Sequence, residues 1–360
     1  MKKIYFPIAI IMGLVIVSCS EKNRITSDEV IYLEPSEIPF DSKSLVESFR
    51  LIPLEVTDNS ILREASKIEK KDSTYCIFDR TLNVIYLFNL EGKYKSKIDR
   101  KGNGPNEYTQ VMDFFLWKDM IVLLAPLKLI FIDLKTLEIA KEQVSLGSSY
   151  HQIIIENENC YLYNKSQGTL DVYNLENKEL KNIFNNKPLK GLIPFNRALF
   201  IADNNIYMNA SGSDILYTLK DNQLKPVFTF DYKNKKDILS FYATREIGPL
   251  EMHEIGKYSL PSISNIIKIQ NNLTFIYSFR AQFLVNSQDK NNRINCYLTT
   301  DLVMNPDVFY TENNKLVSWV YLFSLGQYPE SAISKSEVAK IKQTNSDPGT
   351  IILTEYSFKE

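Results

Sequence analysis

A repeat constrains this chain more than any other feature. Short apolar runs separated by polar turns recur in four copies, at residues 65–100, 111–146, 150–184 and 197–232. Aligned on one hairpin turn, "LEGKY", "LKTLEI", "LENKEL" and "LKDNQL" place Gly92, Leu137, Asn177 and Asn222 in register, 45, 40 and 45 residues apart. A period of about 40–50 residues with four short strands per unit is the pattern of propeller blades. A parallel sheet needs helical crossovers between its strands, and these turns leave no room for them.

A fifth copy, 265–300, follows an insertion, and a sixth is incomplete. "PDVFYTENNKLVSWVYLFSL" supplies two of its strands and "GTIILTEYSF" a third. The missing outer strand is expected from "SFRLIPLEV", Ser48 to Val56, at the other end of the domain. The expected fold is therefore all-β: a six-bladed β-propeller over residues 41–360, its ring closed by an N-terminal outer strand on the last blade. Such closure removes the exposed edges an open sheet must otherwise manage. Two insertions interrupt the pattern, at 233–262 and 326–348. Within the second, "SKSEVAKIKQ" reads as a short helix, with Ser334 as cap and Glu337 three residues on.

The first residues belong to a different function. Lys2 and Lys3 precede an uncharged apolar run, Ile4 to Val17, of 14 residues. That is too short to span a bilayer as a helix and has the form of a secretory signal, so residues 1–18 are expected to be cleaved. The run ends in "IVSC", which resembles a bacterial lipobox. The resemblance implies acylation of Cys19, a lipidated polar tether over 19–40, and a membrane anchor of more than one acyl chain. Each buried CH₂ contributes about 0.8 kcal/mol, so such an anchor holds stably. The expected location is the cell envelope, at the outer membrane, with the displayed face left open.

Composition excludes several classes. Lys and Arg number 42 against 43 Asp and Glu, so no basic excess points to nucleic acid. After Cys19 only Cys76, Cys160 and Cys296 remain, too far apart for a disulfide framework or zinc site, and they read as buried thiols. With two histidines, His151 and His253, no multi-His metal site is available. No cofactor or metal is expected.

"GNGPNEY", Gly102 to Tyr108, joins the first copy to the second. It lacks the Gly-Lys-Ser/Thr of a phosphate loop and the third glycine of a dinucleotide fingerprint, and a strand follows it. With the lipobox, the "IPLE" strand and the repeat count, it resembles the six-bladed β-propeller lipoproteins common in Bacteroides-type bacteria, relatives of the NHL-repeat propellers. The resemblance covers essentially the whole mature chain, implies the architecture and leaves the activity open. Its motif residues here are Gly102, Gly104, Pro105, Glu107 and Tyr108. The glycines are expected to permit positive φ in the crossing and Pro105 to fix its exit. Glu107 and Tyr108 have two readings: a clamp between blades, which is the expected one, or a carboxylate and phenol at the channel mouth.

In a propeller, blade-to-blade crossings and second-to-third strand turns emerge on one side, and both insertions fall at such positions. Binding usually lives on long loops carried by a rigid scaffold. Candidates on that face are Arg80, Arg100, Lys101, Tyr108, Tyr150, His151, Arg197, Arg245, His253 and Arg280. Arg80, Arg100, Arg197 and Arg280 all end strands beside a turn, so they suit an anionic ligand such as an acidic sugar or peptide terminus. The competing reading pairs each with a local acid, such as Asp79 or Glu246. No Ser-His-Asp or nucleophile-elbow pattern appears. The expected role is a binding or scaffold module for a glycan, peptide or envelope protein. The alternative is an envelope enzyme of lyase or hydrolase type using Tyr108 or His151 with an Arg.

Overall fold

The computed structural model describes residues 30–35, 42–186, 197–202, 204–210, 213–232, 263–269, 272–277, 282–284, 293–298, 302–305, 308 and 310–359. For 31–35, 42–43, 232 and the strands between 263 and 298, only the backbone is described. Cys19, residues 1–18, the insertion at 233–262, and Arg245, His253 and Arg280 lie outside the described residues.

Strands β1 (Val30–Pro35) and β2 (Val46–Pro53) precede the repeat. Then follow β3 (Lys67–Lys71), β4 (Thr74–Asp79), β5 (Val84–Asn89) and β6 (Tyr94–Ile98), an antiparallel sheet in sequence order. The next sheet is β7 (Asp113–Trp117), β8 (Met120–Ala125), β9 (Lys128–Asp133) and β10 (Ile139–Ser145). The third is β11 (Gln152–Glu156), β12 (Asn159–Asn164), β13 (Thr169–Asn174) and β14 (Leu180–Asn185). Two further antiparallel groups are β15 (Leu199–Ala202), β16 (Asn205–Met208), β17 (Ile215–Lys220) and β18 (Gln223–Tyr232), then β19 (Ile263–Ile269), β20 (Asn272–Tyr277), β21 (Gln282–Leu284) and β22 (Arg293–Leu298). The last strands are β23 (Tyr310–Glu312), β24 (Lys315–Tyr321) and β25 (Ile351–Phe358), and the last sheet runs β2-β25-β24-β23.

The architecture is an all-β propeller, but the sheets number five among the described residues, which corrects the expectation of six separate blades. Strand β1 lies parallel to both β18 and β22, with Val30 beside Thr229 and Tyr32 beside Arg293, and joins two four-strand groups into one nine-stranded sheet. The physical reason is edge pairing. The outermost strand of each group carries unpaired N–H and C=O groups, and β1 satisfies both rows at once. Residues 30–35 fall within the stretch read as tether, so that reading is corrected there too.

Burial peaks in the two middle strands of the first sheet and falls toward the outer edge. All six residues of β4 are buried and five of six in β5, whereas β10 and β14 are mostly part-exposed or exposed. A strand buried on both faces needs no polar alternation, which is why "TYCIFD" and "VIYLFN" read as continuous runs. Tight two-residue turns set the register. Asp72, Lys118, Asn157, Asn204 and Asn313 all have φ between 51° and 59° and stand at the first hairpin of their groups. Two-residue hairpin loops require that left-handed geometry, and Asn and Asp tolerate it best among residues with side chains.

The core consists of slabs between neighbouring sheets. Cys76, Phe78, Ile98 and Tyr108 pack on Phe114, Ile121 and Ile130, and Val122, Leu124 and Phe131 pack on Tyr150, Ile153 and Leu162. Between the last sheet and the first, Ile52 and Leu54 pack with Trp319, Leu353 and Tyr86. Here "IPLE" is stitched to "LEGKY": Glu55 N donates to Gly92 O at 2.8 Å, and the Glu55 carboxylate accepts from Tyr94 N at 3.0 Å. Gly92 has φ +78°, and a Cβ there would lie 2.3 Å from Pro53 O, so only glycine fits. Strand β2 pairs antiparallel with β25 from Val46–Phe358 to Pro53–Ile352.

The second insertion carries helix α1 (Lys335–Thr344) with a complete capping box. Ser334 Oγ accepts from Glu337 N, and Glu337 returns its carboxylate to Ser334 N at 3.1 Å. Val338 and Ile341 rest on Leu322, Leu325 and Ile333, which folds the insertion onto the last sheet. Among the described residues no helix is long and apolar enough to cross a membrane.

Candidate functional site

Inner strands β3, β7, β11, β15 and β23 surround a central cavity of about 480 Å³. The first residue of successive inner strands clamps onto the next sheet. Lys67 Nζ reaches Asp113 Oδ1 at 2.9 Å and also the Phe114 carbonyl. Asp113 Oδ2 accepts from Ile153 N at 3.0 Å. Gln152 Oε1 accepts from Ala198 N at 2.6 Å and Leu199 N at 3.3 Å. Lys67 is 5% exposed and Asp113 7%, so this belt is a buried, bonded network around the channel.

Toward the rim that carries the blade-to-blade crossings, a smaller cavity of about 90 Å³ opens over the belt. Its wall repeats one pattern. Ser66, Met112, His151 and Arg197 come just before inner strands, and Arg80 and Lys165 come just after second strands. Lys67, Asp113, Gln152 and Arg197 line both cavities. Asp79 and Asn164, at the second-strand ends, are tied to their own turns. Asp79 accepts from the backbone N–H of Arg63, Glu64 and Leu82, and Asn164 from those of Ser166 and Gln167. The Arg80 and Lys165 side chains project beyond them.

Among the described residues no carboxylate lies within 4 Å of the Arg80, Lys165 or Arg197 cations, so the expected local partner Asp79 is not one for Arg80. Burial lowers the Lys165 pKa, and the neighbouring Arg80 charge lowers it further. Burial likewise holds His151 below its usual value, with Lys165 as the second cause. His151 donates its backbone N–H to Tyr163 O at 2.8 Å, but its Nδ1 is buried without a hydrogen-bond partner.

The other candidates lie elsewhere. Tyr108 is 1% exposed in the slab between the first two sheets. Its hydroxyl lies 3.1 Å from Ile98 O and 3.2 Å from Asn83 O and accepts from Arg100 N at 3.3 Å. Burial pushes its pKa up to about 12. It is a clamp and not a channel phenol. Glu107 clamps only its own loop, accepting from Gly104 N at 2.9 Å, which corrects the idea that it bridges blades. Its carboxylate also explains a glycine. A Cβ on Gly102 would lie 1.9 Å from Glu107 Oε2, and neither Gly102 nor Gly104 has positive φ, which corrects the expectation that these glycines supply left-handed backbone. Pro105 is exposed, and its carbonyl, with that of Gly104, accepts from Lys128 Nζ at 3.4 Å.

Arg100 donates to Leu137 O at 2.8 Å and pairs with Glu138 at 3.2 Å, so the local-partner reading holds for it. Lys101 pairs with Asp99. Tyr150 is fully buried, its hydroxyl bonded to Asp171 Oδ2 at 2.6 Å, and burial raises its pKa. Cys76 and Cys160 are buried free thiols whose pKa burial pushes up to about 12. No cluster of three or more His, Cys, Asp or Glu positioned for a metal occurs among the described residues.

The structure thus brings Arg80, His151 and Arg197 together and sets Arg100, Tyr108 and Tyr150 apart from them. Lys165 escaped the sequence reading although a signal existed. "DR" at 79–80 and "NK" at 164–165 occupy the same place in their copies, the end of the second strand. The hairpin-turn register already aligns the two, because Arg80 stands 12 residues before Gly92 and Lys165 12 before Asn177.

Together these features make the molecule a β-propeller with a polar channel mouth on its crossing-loop face. The chain belongs to the family described as a domain of unknown function, DUF4934, whose model matches residues 28–353. Among solved structures, a presumed exported protein of Bacteroides fragilis superposes with a TM-score of 0.70 at 16% identity, over 92% of this chain and 99% of its own. A DUF4221 family member from Bacteroides vulgatus gives 0.53 at 11% identity, over 88% of this chain and 98% of its own. At these identities the likeness is one of fold. No curated protein matches the chain.

Proposed function

We propose that this chain is an exported binding propeller, held at the cell envelope through lipid on Cys19, that captures a ligand on its crossing-loop face. One observation carries the reading. The mouth cavity is lined by Arg80, His151 and Arg197, while the phenols an enzyme would use, Tyr108 and Tyr150, are buried with bonded hydroxyls. Buried, satisfied side chains belong to the scaffold, and convergent polar groups at a cleft are the default binding site. The signal-like run, the lipobox and the polar residues after it support the envelope location, with the outer membrane as the anchoring surface. The β2–β25 pairing fits a ring shut by strands from both ends of the chain, which would present a rigid rim. A glycan, a peptide or an envelope protein suits that rim.

An enzyme remains the second reading because His151 and two guanidiniums share one cavity. It lacks a phenol there, so His151 would act alone as acid or base. The test is a glycan and peptide array probed with the full chain beside His151→Ala and Tyr108→Phe. Capture without turnover supports the binding module. Turnover that His151→Ala abolishes and Tyr108→Phe spares would replace it with the enzyme.

A further inference from the structure

Four cations line the 90 Å³ mouth cavity, Lys67, Arg80, Lys165 and Arg197, and Asp113, its only carboxylate among the described residues, cannot balance them. Asp113 already holds Lys67 through Oδ1 and Ile153 N through Oδ2. Like charges gathered around a cavity repel, and the part-buried Lys165 and Arg197 lose hydration without a carboxylate partner among the described residues. The depressed Lys165 pKa is that repulsion and desolvation made visible. The imidazole beside them adds a buried Nδ1 with no partner, and a buried polar atom left unbonded costs about 1–3 kcal/mol. Every one of these penalties is removed by the same addition, a small group with negative acceptor oxygens.

We propose that the mouth cavity is an oxyanion site in which Arg80, Lys165, Arg197 and His151 Nδ1 hold the carboxylate or phosphate head of a ligand. The rest of the ligand lies outside, on the crossing-loop face. The mouth cavity, at about 90 Å³ against about 480 Å³ for the central one, suits the head group of a ligand. Guanidiniums on two sheets, from Arg80 and Arg197, suit forked bonds to one oxyanion, and the ammonium of Lys165 adds a point charge. The inference rests on that face being the ligand-binding one and adds the chemistry of what it grips.

Two histidines make the site easy to watch, since the chain has only His151 and His253. Inorganic phosphate and, separately, a galacturonate disaccharide are titrated into the full chain at low ionic strength while the imidazole NMR signals are followed. The His151 signal is identified by its loss in His151→Gln. A saturable shift of that signal is expected with at least one probe. Arg80→Gln, Lys165→Gln and Arg197→Gln should each weaken binding about tenfold or more while leaving the urea midpoint in place. Response to phosphate alone, to the disaccharide alone, or to both identifies the head group, and each supports the site. No saturable shift with either probe, or affinities unchanged in all three variants, overturns it. If an array ligand is captured equally well by Arg197→Gln and Lys165→Gln, the oxyanion site falls and the binding reading survives. If both probes bind at His151 but no array ligand is captured, the site stands and the proposed binding function falls.

Discussion

Arg80 and Arg100 end two strands of the same sheet on the same rim, yet they have opposite fates. Arg100 follows the outer strand, where the next sheet's turn offers Leu137 O and Glu138, and its guanidinium is held by both. Arg80 follows the second strand, nearer the axis, and meets a cavity shared with Lys165 and Arg197. Tyr150 and His151 repeat the contrast at adjacent positions. The tyrosine is buried in the slab between two sheets with its hydroxyl on Asp171, and the histidine lines the mouth with Nδ1 unbonded. Radius decides the chemistry. Between sheets, packed neighbours supply partners for most polar groups, Trp319 Nε1 and Thr354 Oγ1 being exceptions. At the axis the sheets diverge around a space, where Lys67, Asp113 and Gln152 bond to the next sheet and Arg80, Lys165 and Arg197 have no carboxylate partner among the described residues.

Three measurements break or sharpen this contrast. The largest effect is expected at the belt, where both kinds of region meet. Asp113→Ala leaves the buried Lys67 with Glu69, at 3.1 Å, as its one carboxylate and Ile153 N without its acceptor, and should cost about 2–3 kcal/mol in urea unfolding. The triple variant Lys67→Met with Asp113→Leu and Glu69→Gln should recover part of that, because no lone charge is then left behind. A cost under about 1 kcal/mol for Asp113→Ala would mean that the belt is not holding the sheets together.

Next comes Tyr108, whose partners are all backbone. Tyr108→Phe should lose about 1–2 kcal/mol by leaving Arg100 N, Ile98 O and Asn83 O short of a partner. The pH dependence has a definite sign. The phenol's pKa rises from 10.0 to about 12 on folding, so the folded state keeps its proton where the unfolded state loses it. Its contribution is complete below pH 10 and fades as pH climbs from 10 toward 12. Urea midpoints measured from pH 8 to 11 should fall less steeply for Tyr108→Phe than for the native chain.

The smallest effect belongs to the mouth. Arg80→Gln combined with Arg197→Gln removes two unpartnered charges, so stability should stay within about 0.5 kcal/mol or rise. A loss of more than about 2 kcal/mol would show that these side chains serve the scaffold, and the contrast with Arg100 would disappear.

Some of this was legible in advance because it is local. The alternation of apolar runs and turn residues set the strands, and "SKSEVAKIKQ" marked a helix whose capping box closes within four residues. Arg80, His151 and Arg197 were nominated because strand ends beside crossings must lie near a rim. Lys165 shares the place of Arg80 in the repeat, 12 residues before the aligned turn, and was missed because only arginines were gathered at strand ends, while the turn of Glu107 back onto its own loop is not written in the spacing.

What the sequence determined alone is therefore periodic: the all-β class, the strand groups and the hairpin turns between them, because hydrogen bonds between adjacent strands and two-residue turns involve near neighbours. The tertiary structure decided the rest. It joined β1 to strands far along the chain, giving five sheets instead of six. It also sorted chemically identical side chains into partnered and unpartnered sets. Both outcomes depend on which groups meet across a closed assembly, and a partner dozens of residues away leaves no trace in local periodicity.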